Sequence, residues 1–339
     1  MMRAWGTVFL GIGALASSAC SPSNGIAEPT KRPARADFGD QGDAAAAVAA
    51  PTAGSLRTAA AIHTNAGKGA LISAAETSQA TQQLERLAIA VAEYKAAAAG
   101  WQSCLDLAPD VADAYETRYW LADARRNYVR IQLVLHRADA GTSPEPKKAD
   151  LDAALTAAIA IRDDKRDNKF LDYAAFFVVD LIDIDRDLAY LRYERTGGTS
   201  AIRRPDDVQL DSTDLARRKV VKAPVPAEVL ASIRARDEYA RLVPVAIDAQ
   251  NRAVDHAYYA AEQFFLYGQL DEARSRFEAI VGAQCGKHDS AFISWTRLVT
   301  IARLEKNAAR VAQLAEADRK RSCALTPHDH ATVKQLLGK

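Results

Sequence analysis

The stretch Val254 to Cys285, VDHAYYAAEQFFLYGQLDEARSRFEAIVGAQC, decides how the rest of the chain is understood. It predicts two short antiparallel helices joined by a glycine turn. In the first, Ala257, Ala260, Ala261 and Phe264 recur at helical spacing and share one face. In the second, Ala273, Phe277 and Ile280 form an apolar stripe of their own. Gly268 ends the first helix. Asp271 and Glu272 suit the start of the second, where carboxylates face the positive end of the helix dipole.

The order Ala261, Phe264, Gly268, Ala273, Phe277 resembles the signature of a tetratricopeptide repeat, a helical hairpin of about 34 residues. Two positions depart from it: Ala257 stands where the family often has Trp, and Cys285 where it often has Pro. A second match follows over Ser290 to Cys323. There Trp295 and Leu298 fall on the family's Trp and Leu positions, and Lys306-Asn307 stands where a turn is wanted. Ala97, Trp101 and the ending Leu105-Asp106-Leu107-Ala108-Pro109 suggest an earlier repeat without its turn glycine. The resemblance implies an all-α, tetratricopeptide-like helical-hairpin solenoid. In such a frame the first helices of each pair line a concave wall that holds a peptide or a protein. Tyr258, Tyr259, Gln263, Trp295, Arg297 and Arg303 are then the expected partner-binding residues, since aromatic and Arg side chains anchor such interfaces. Cys285 and Cys323 each end the second helix of successive repeats. Such ends neighbour one another in a solenoid, so the resemblance implies a disulfide between them, the alternative being two buried thiols.

Composition agrees with a helical protein. The 339 residues are rich in Ala, and Gly and Pro are sparse beyond residue 60. Lys and Arg total 44 against 43 Asp and Glu, a net charge of +1. That balance gives no electrostatic ground for nucleic acid as a partner.

At the N-terminus Arg3 precedes an apolar run from Ala4 to Ala16 and the sequence Ser17-Ser18-Ala19-Cys20. The run is short for a bilayer span and is expected to be a signal peptide, residues 1–19. Ser17 and Ala19 would serve an ordinary signal peptidase, which would give a secreted periplasmic protein. Cys20 at that place also resembles the lipobox of bacterial lipoproteins, although Leu15 lies two positions early. That resemblance implies a lipid anchor on Cys20, and Ser21 implies the outer membrane, with the protein facing the periplasm.

Four further segments are expected. Residues 20–66 lack a persistent apolar face and form a flexible tether. Residues 67–198 form an N-terminal helical region, with periodicity from Ile72 to Tyr94, then 96–107, 112–135, 149–161 and 169–193. Residues 199–224, lacking a period, form a loop or inter-domain linker and the best candidate for a mobile insertion. Residues 225–339 form the repeat-like C-terminal region, closed by a capping helix after Thr326-Pro327.

Chemistry is thin. Asp180, Asp183 and Asp187 share a helical face and could hold a divalent cation or a proton, or else form an acidic face paired with Arg186, Arg192 or Arg195. In His328-Asp329-His330 the middle residue suits a helix cap better than a metal site. Cys104 beside Trp101 and Leu105 is expected in the core. Gly67-Lys68-Gly69 lacks the residues of a phosphate loop, and no hydrolase or zinc-protease motif occurs. The expectation is therefore a non-catalytic scaffold without a cofactor, binding other envelope proteins or peptides and reaching the membrane through its anchor. Texture over Glu262 to Phe277 and Cys285-Gly286-Lys287 also resembles tetratricopeptide proteins of bacterial gliding-motility envelope complexes. The alternative is a helical-repeat lipoprotein receptor for a small ligand or glycan, with a deep aromatic pocket.

Overall fold

A computed structural model describes residues 50–109, 113–139, 141–164, 169–195, 201–203, 220–248 and 250–337. Among the described residues there are eleven helices and no strand, so the chain is all-α. It divides into two units, residues 1–145 and 146–339. The expected signal peptide, Cys20 and most of the expected tether lie outside the described residues.

The first unit contains α1 (Ala53–Glu76), α2 (Ala80–Leu107) and α3 (Ala114–Ala138). Helix α1 begins where a tether was expected. Thr52 caps it: its hydroxyl accepts from the Ser55 amide at 3.1 Å, and the Ser55 hydroxyl accepts from the Thr52 amide at 3.0 Å. Its inward stripe is Ala60, Thr64, Gly67, Leu71 and Ala74. Apart from Leu71 those side chains are small, so the stripe has little hydropathic contrast with the rest of the helix. Small size is what the packing requires. A Cβ on Gly100 of α2 would come within 2.9 Å of the Ala60 Cβ, and a Cβ on Gly67 within 2.9 Å of the Tyr94 ring. The helices thus approach closely, with Leu87, Ala90, Tyr94, Ala97 and Trp101 on the α2 side. The Trp101 indole donates to the Thr64 hydroxyl at 3.1 Å, satisfying both buried groups. Cys104 is a buried free thiol, as expected of a core residue. The break between the first two helices falls at 77–79 rather than near Lys95, and α2 ends before Pro109.

The second unit contains α4 (Lys148–Arg162), α5 (Leu171–Arg195), α6 (Ala227–Leu242), α7 (Arg252–Leu266), α8 (Leu270–Gln284), α9 (Asp289–Leu304), α10 (Ala308–Lys320) and α11 (Pro327–Leu336). Each packs on its successor from α4 to α10, and α9 also touches α7 and α11. The grouping of these helices differs from the division expected at 199–224. Helices α4 and α5 belong with the C-terminal unit, because α5 packs on α6 as well as α4.

The quoted hairpin is α7 and α8. Ala260, Ala261, Ala273 and Phe277 are fully buried, but Phe265 rather than Phe264 fills the core at the end of α7. Phe264 packs against its edge, partly buried, with the Arg276 guanidinium 5.0 Å from its ring centre. Gly268 has φ +65, and a Cβ there would meet the Lys222 backbone at 2.8 Å. The glycine thus serves the turn and the strand of loop passing over it. Both described arms of the expected insertion are bound there. The Arg203 amide donates to the Tyr267 hydroxyl at 2.8 Å, and the Ala223 amide to the Tyr267 carbonyl at 3.0 Å.

At the next turn Lys306 takes φ 55, the conformation that a glycine would take more cheaply. The Cys285 and Cys323 Cα atoms stand 4.5 Å apart with their sulfurs at bonding distance. Thr326 and Asp329 form a capping box at α11, the role expected of Asp329.

Candidate functional site

The polar centre of the second unit lies on three helices whose inward stripes each carry ionisable residues. On α5, Asp172, Phe176, Val179 and Asp183 follow the three-and-four spacing of one face. On α6 the face is Val229, Ser232, Arg236 and Tyr239, and on α7 it is Arg252, His256 and Ala260. Packing the three stripes together buries the charges in pairs.

Asp183 holds one set. It accepts from Arg236 through both oxygens, with Nη1 to Oδ1 at 2.9 Å, from the Ser232 hydroxyl at 2.7 Å and from Arg186 at 3.2 Å. Burial pushes its carboxyl up, but the Arg236 and Arg186 guanidinium groups outweigh this and hold it down to about 2. Arg186 also reaches Asp187 at 3.0 Å. Of the expected alternatives for the Asp180 to Asp187 cluster, Asp183 and Asp187 show the pairing with Arg186, in a partly buried network rather than on an open acidic face. Among the described residues no group of three or more His, Cys, Asp or Glu is placed to hold a metal ion.

Asp172 holds the other set. It accepts from Arg252 Nη1 at 2.9 Å and from the Tyr239 hydroxyl. Asp248 accepts from the amides of Arg252 and Ala253, each at 2.9 Å, and so caps α7. Between the sets lies His256, 6 % exposed, its ring 4.5 Å from that of Tyr239 and stacked 6.3 Å from that of Phe176.

Asp172, Ser232, Arg236, Tyr239, Asp248 and Arg252 were not singled out in the sequence, whereas Asp183, Arg186 and Asp187 were. The available signal was a polar residue recurring within an otherwise apolar helical stripe, as at Ser232 and Arg236 between Val229 and Tyr239.

The six residues expected to face a partner have different fates. Trp295 is 1 % exposed and donates its indole N–H to the Leu314 carbonyl at 3.4 Å. It is core, since its side of α9 faces α10, and it cannot line a groove. Arg297 is turned inward too, paired with the buried Glu262 through Nε and Nη2 at 2.8 and 2.7 Å. Tyr258 is half-buried against Phe277, and burial raises its hydroxyl pKa well above the usual value. Gln263 is partly buried. Arg303 donates to the Leu336 carbonyl, tying α9 to α11.

Tyr259 alone of the six is solvent-facing, 51 % exposed, with the Arg236 guanidinium 5.7 Å from its ring centre. On α9, Ile293 is also exposed, at 37 %. Helices α8 and α10 carry a different surface, in which arginines are neutralised across helices. Arg276 pairs with Asp237 at 2.8 Å, Arg274 with Glu305, and Arg310 with Glu278. A groove of about 320 Å³ lies at the α9–α10 turn, lined by Ala302, Arg303, Lys306, Asn307, Ala308 and Val311. Its lining has no aromatic ring.

Among the described residues no helix is long and apolar enough to cross a membrane. No protein-family model, curated protein or solved structure matches this chain.

Proposed function

We propose that the chain is a non-catalytic, protein-binding scaffold of the bacterial cell envelope. It is built as a tetratricopeptide-like solenoid and held to the outer membrane by a lipid on Cys20. The observation that carries the binding role is Tyr259, a large aromatic side chain half-exposed on α7 while the charged residues beneath it are internally paired. A rigid aromatic presented over fixed charges loses little entropy on binding and buries much apolar area. The contacts of α9 with both α7 and α11 support the solenoid reading, because first helices of successive hairpins lie side by side in such a frame. The export and anchor readings rest on residues 1–20 of the sequence.

The test is a crosslinking pull-down of the full chain from its native envelope, read by mass spectrometry, beside Cys20→Ser and Tyr259→Ala. The reading expects one or two recurrent envelope proteins, weakened by either change. Equal recovery from wild type and Tyr259→Ala would remove the assigned face.

A further inference from the structure

His256 is unusual within its surroundings. Among the described residues neither ring nitrogen has a hydrogen-bond partner, although the side chain is more than nine-tenths buried. Neutral imidazole normally places one donor and one acceptor, and buried polar atoms normally find partners. The ring is instead packed as an aromatic, stacked on Phe176 of α5 and edge-on to Tyr239 of α6.

The charges around it disfavour a second ring proton. Arg236 of α6 and Arg252 of α7 are each fixed by a carboxylate, Arg236 by Asp183 and Arg252 by Asp172. Asp248, before α7, is occupied by the first amides of that helix. Tyr239 holds its proton firmly, its pKa raised by burial and by its bond to Asp172. No carboxylate among these accepts from the ring.

We propose that the joint of α5, α6 and α7 is an acid-sensitive device, in which protonation of His256 expels its ring from the slot between Phe176 and Tyr239 and loosens α7. A proton added there creates a buried cation with two N–H donors, no acceptor for either, and guanidinium groups on two sides. Such an ion reaches water only if α7 moves. Burial, then the Arg236 charge, already push the imidazole down to about 4, in keeping with that geometry. Tyr259 lies over Arg236, so the same movement withdraws the support of the exposed aromatic.

Hydrogen exchange of the full chain, corrected for intrinsic pH dependence and compared at pH 7 and pH 4.5, tests this. Peptides from α6 and α7 should lose protection about tenfold or more at the lower pH, reversibly, while peptides from α1 and α2 keep theirs. His256→Phe keeps an aromatic in the slot, removes both unpartnered nitrogens and should abolish the loss. His288, whose Nδ1 accepts from the Ser290 amide at α9, is a second histidine of the same unit and serves as the control. His288→Asn should therefore respond as wild type does. Unchanged protection of α6 and α7 in wild type, the same loss in His256→Phe, or abolition of the loss by His288→Asn would each overturn the proposal. Should His256→Phe not fold, histidine-labelled NMR of wild type decides. Ring protonation and loss of protection with a common midpoint support the proposal, and protonation of a ring that stays packed overturns it.

Discussion

The α1–α2 pair of the first unit and the α5–α6–α7 joint of the second solve the same packing problem by opposite means. In α1–α2, small residues remove the obstacle: Gly67 and Gly100 let the helices meet at distances that no Cβ would permit. In the joint, long side chains keep the helices together through ion pairs, Asp183 with Arg236 and Asp172 with Arg252. Close contact gains dispersion and apolar burial, which are insensitive to pH. Buried pairs offset a large desolvation cost only while both partners are present and charged. The first interface should thus fail by crowding, and the second by losing one charge.

The largest expected effect breaks the second. Asp183→Ala leaves Arg236 and Arg186 without their shared carboxylate and should cost about 3 to 5 kcal/mol, measured by denaturant unfolding. Asp183→Asn, which keeps the shape, separates charge from packing. Next is the staple within the second unit. Changing Cys285 and Cys323 together to Ser should cost about 3 to 4 kcal/mol by the chain-entropy argument, and reductant should reproduce the loss.

Acid gives a third contrast. His256 has a folded pKa of about 4, below its unfolded value near 6.5, so between these values the unfolded chain binds more protons. Stability of the second unit should fall by up to about 3 kcal/mol as pH drops from 6.5 to 4. Asp183 acts in the same direction at lower pH. Its depressed pKa contributes stability that is full above about 4 and lost as pH falls through 2. Thermal melts in pH steps, with His256→Phe beside wild type, separate the two windows.

In the first unit, Gly100→Val should cost about 1 to 3 kcal/mol by overpacking against Ala60, with little dependence on pH. Smallest of all, Tyr259→Ala should change stability by no more than about 0.5 kcal/mol, because the ring is half-exposed. A larger loss would mean that Tyr259 is part of the core.

The same contrast explains what could be read in the sequence. Helix α8 was legible because Ala273, Phe277 and Ile280 stand out from charged neighbours, and the α7–α8 turn because Gly268 interrupts two apolar stripes. Helix α1 was not, since Ala60, Thr64 and Gly67 carry almost no hydropathic contrast. The disulfide followed from the repeat resemblance. Arg236 and Arg252 escaped notice because charge normally marks a solvated face, and their pairing depends on residues far away in sequence. Trp295 and Arg297 were assigned to the right helix but the wrong side: one hairpin fixes the period of a helix, while its neighbours decide which face is covered.

The most direct test of the proposed scaffold places a photo-crosslinking residue at position 259 of the full chain in its native envelope, and another at Glu278 on the ion-paired surface. The account predicts one discrete adduct with an envelope protein from position 259, absent from position 278 and competed by unlabelled wild type but not by Tyr259→Ala. No adduct from 259, or the same adduct from both positions, would contradict it.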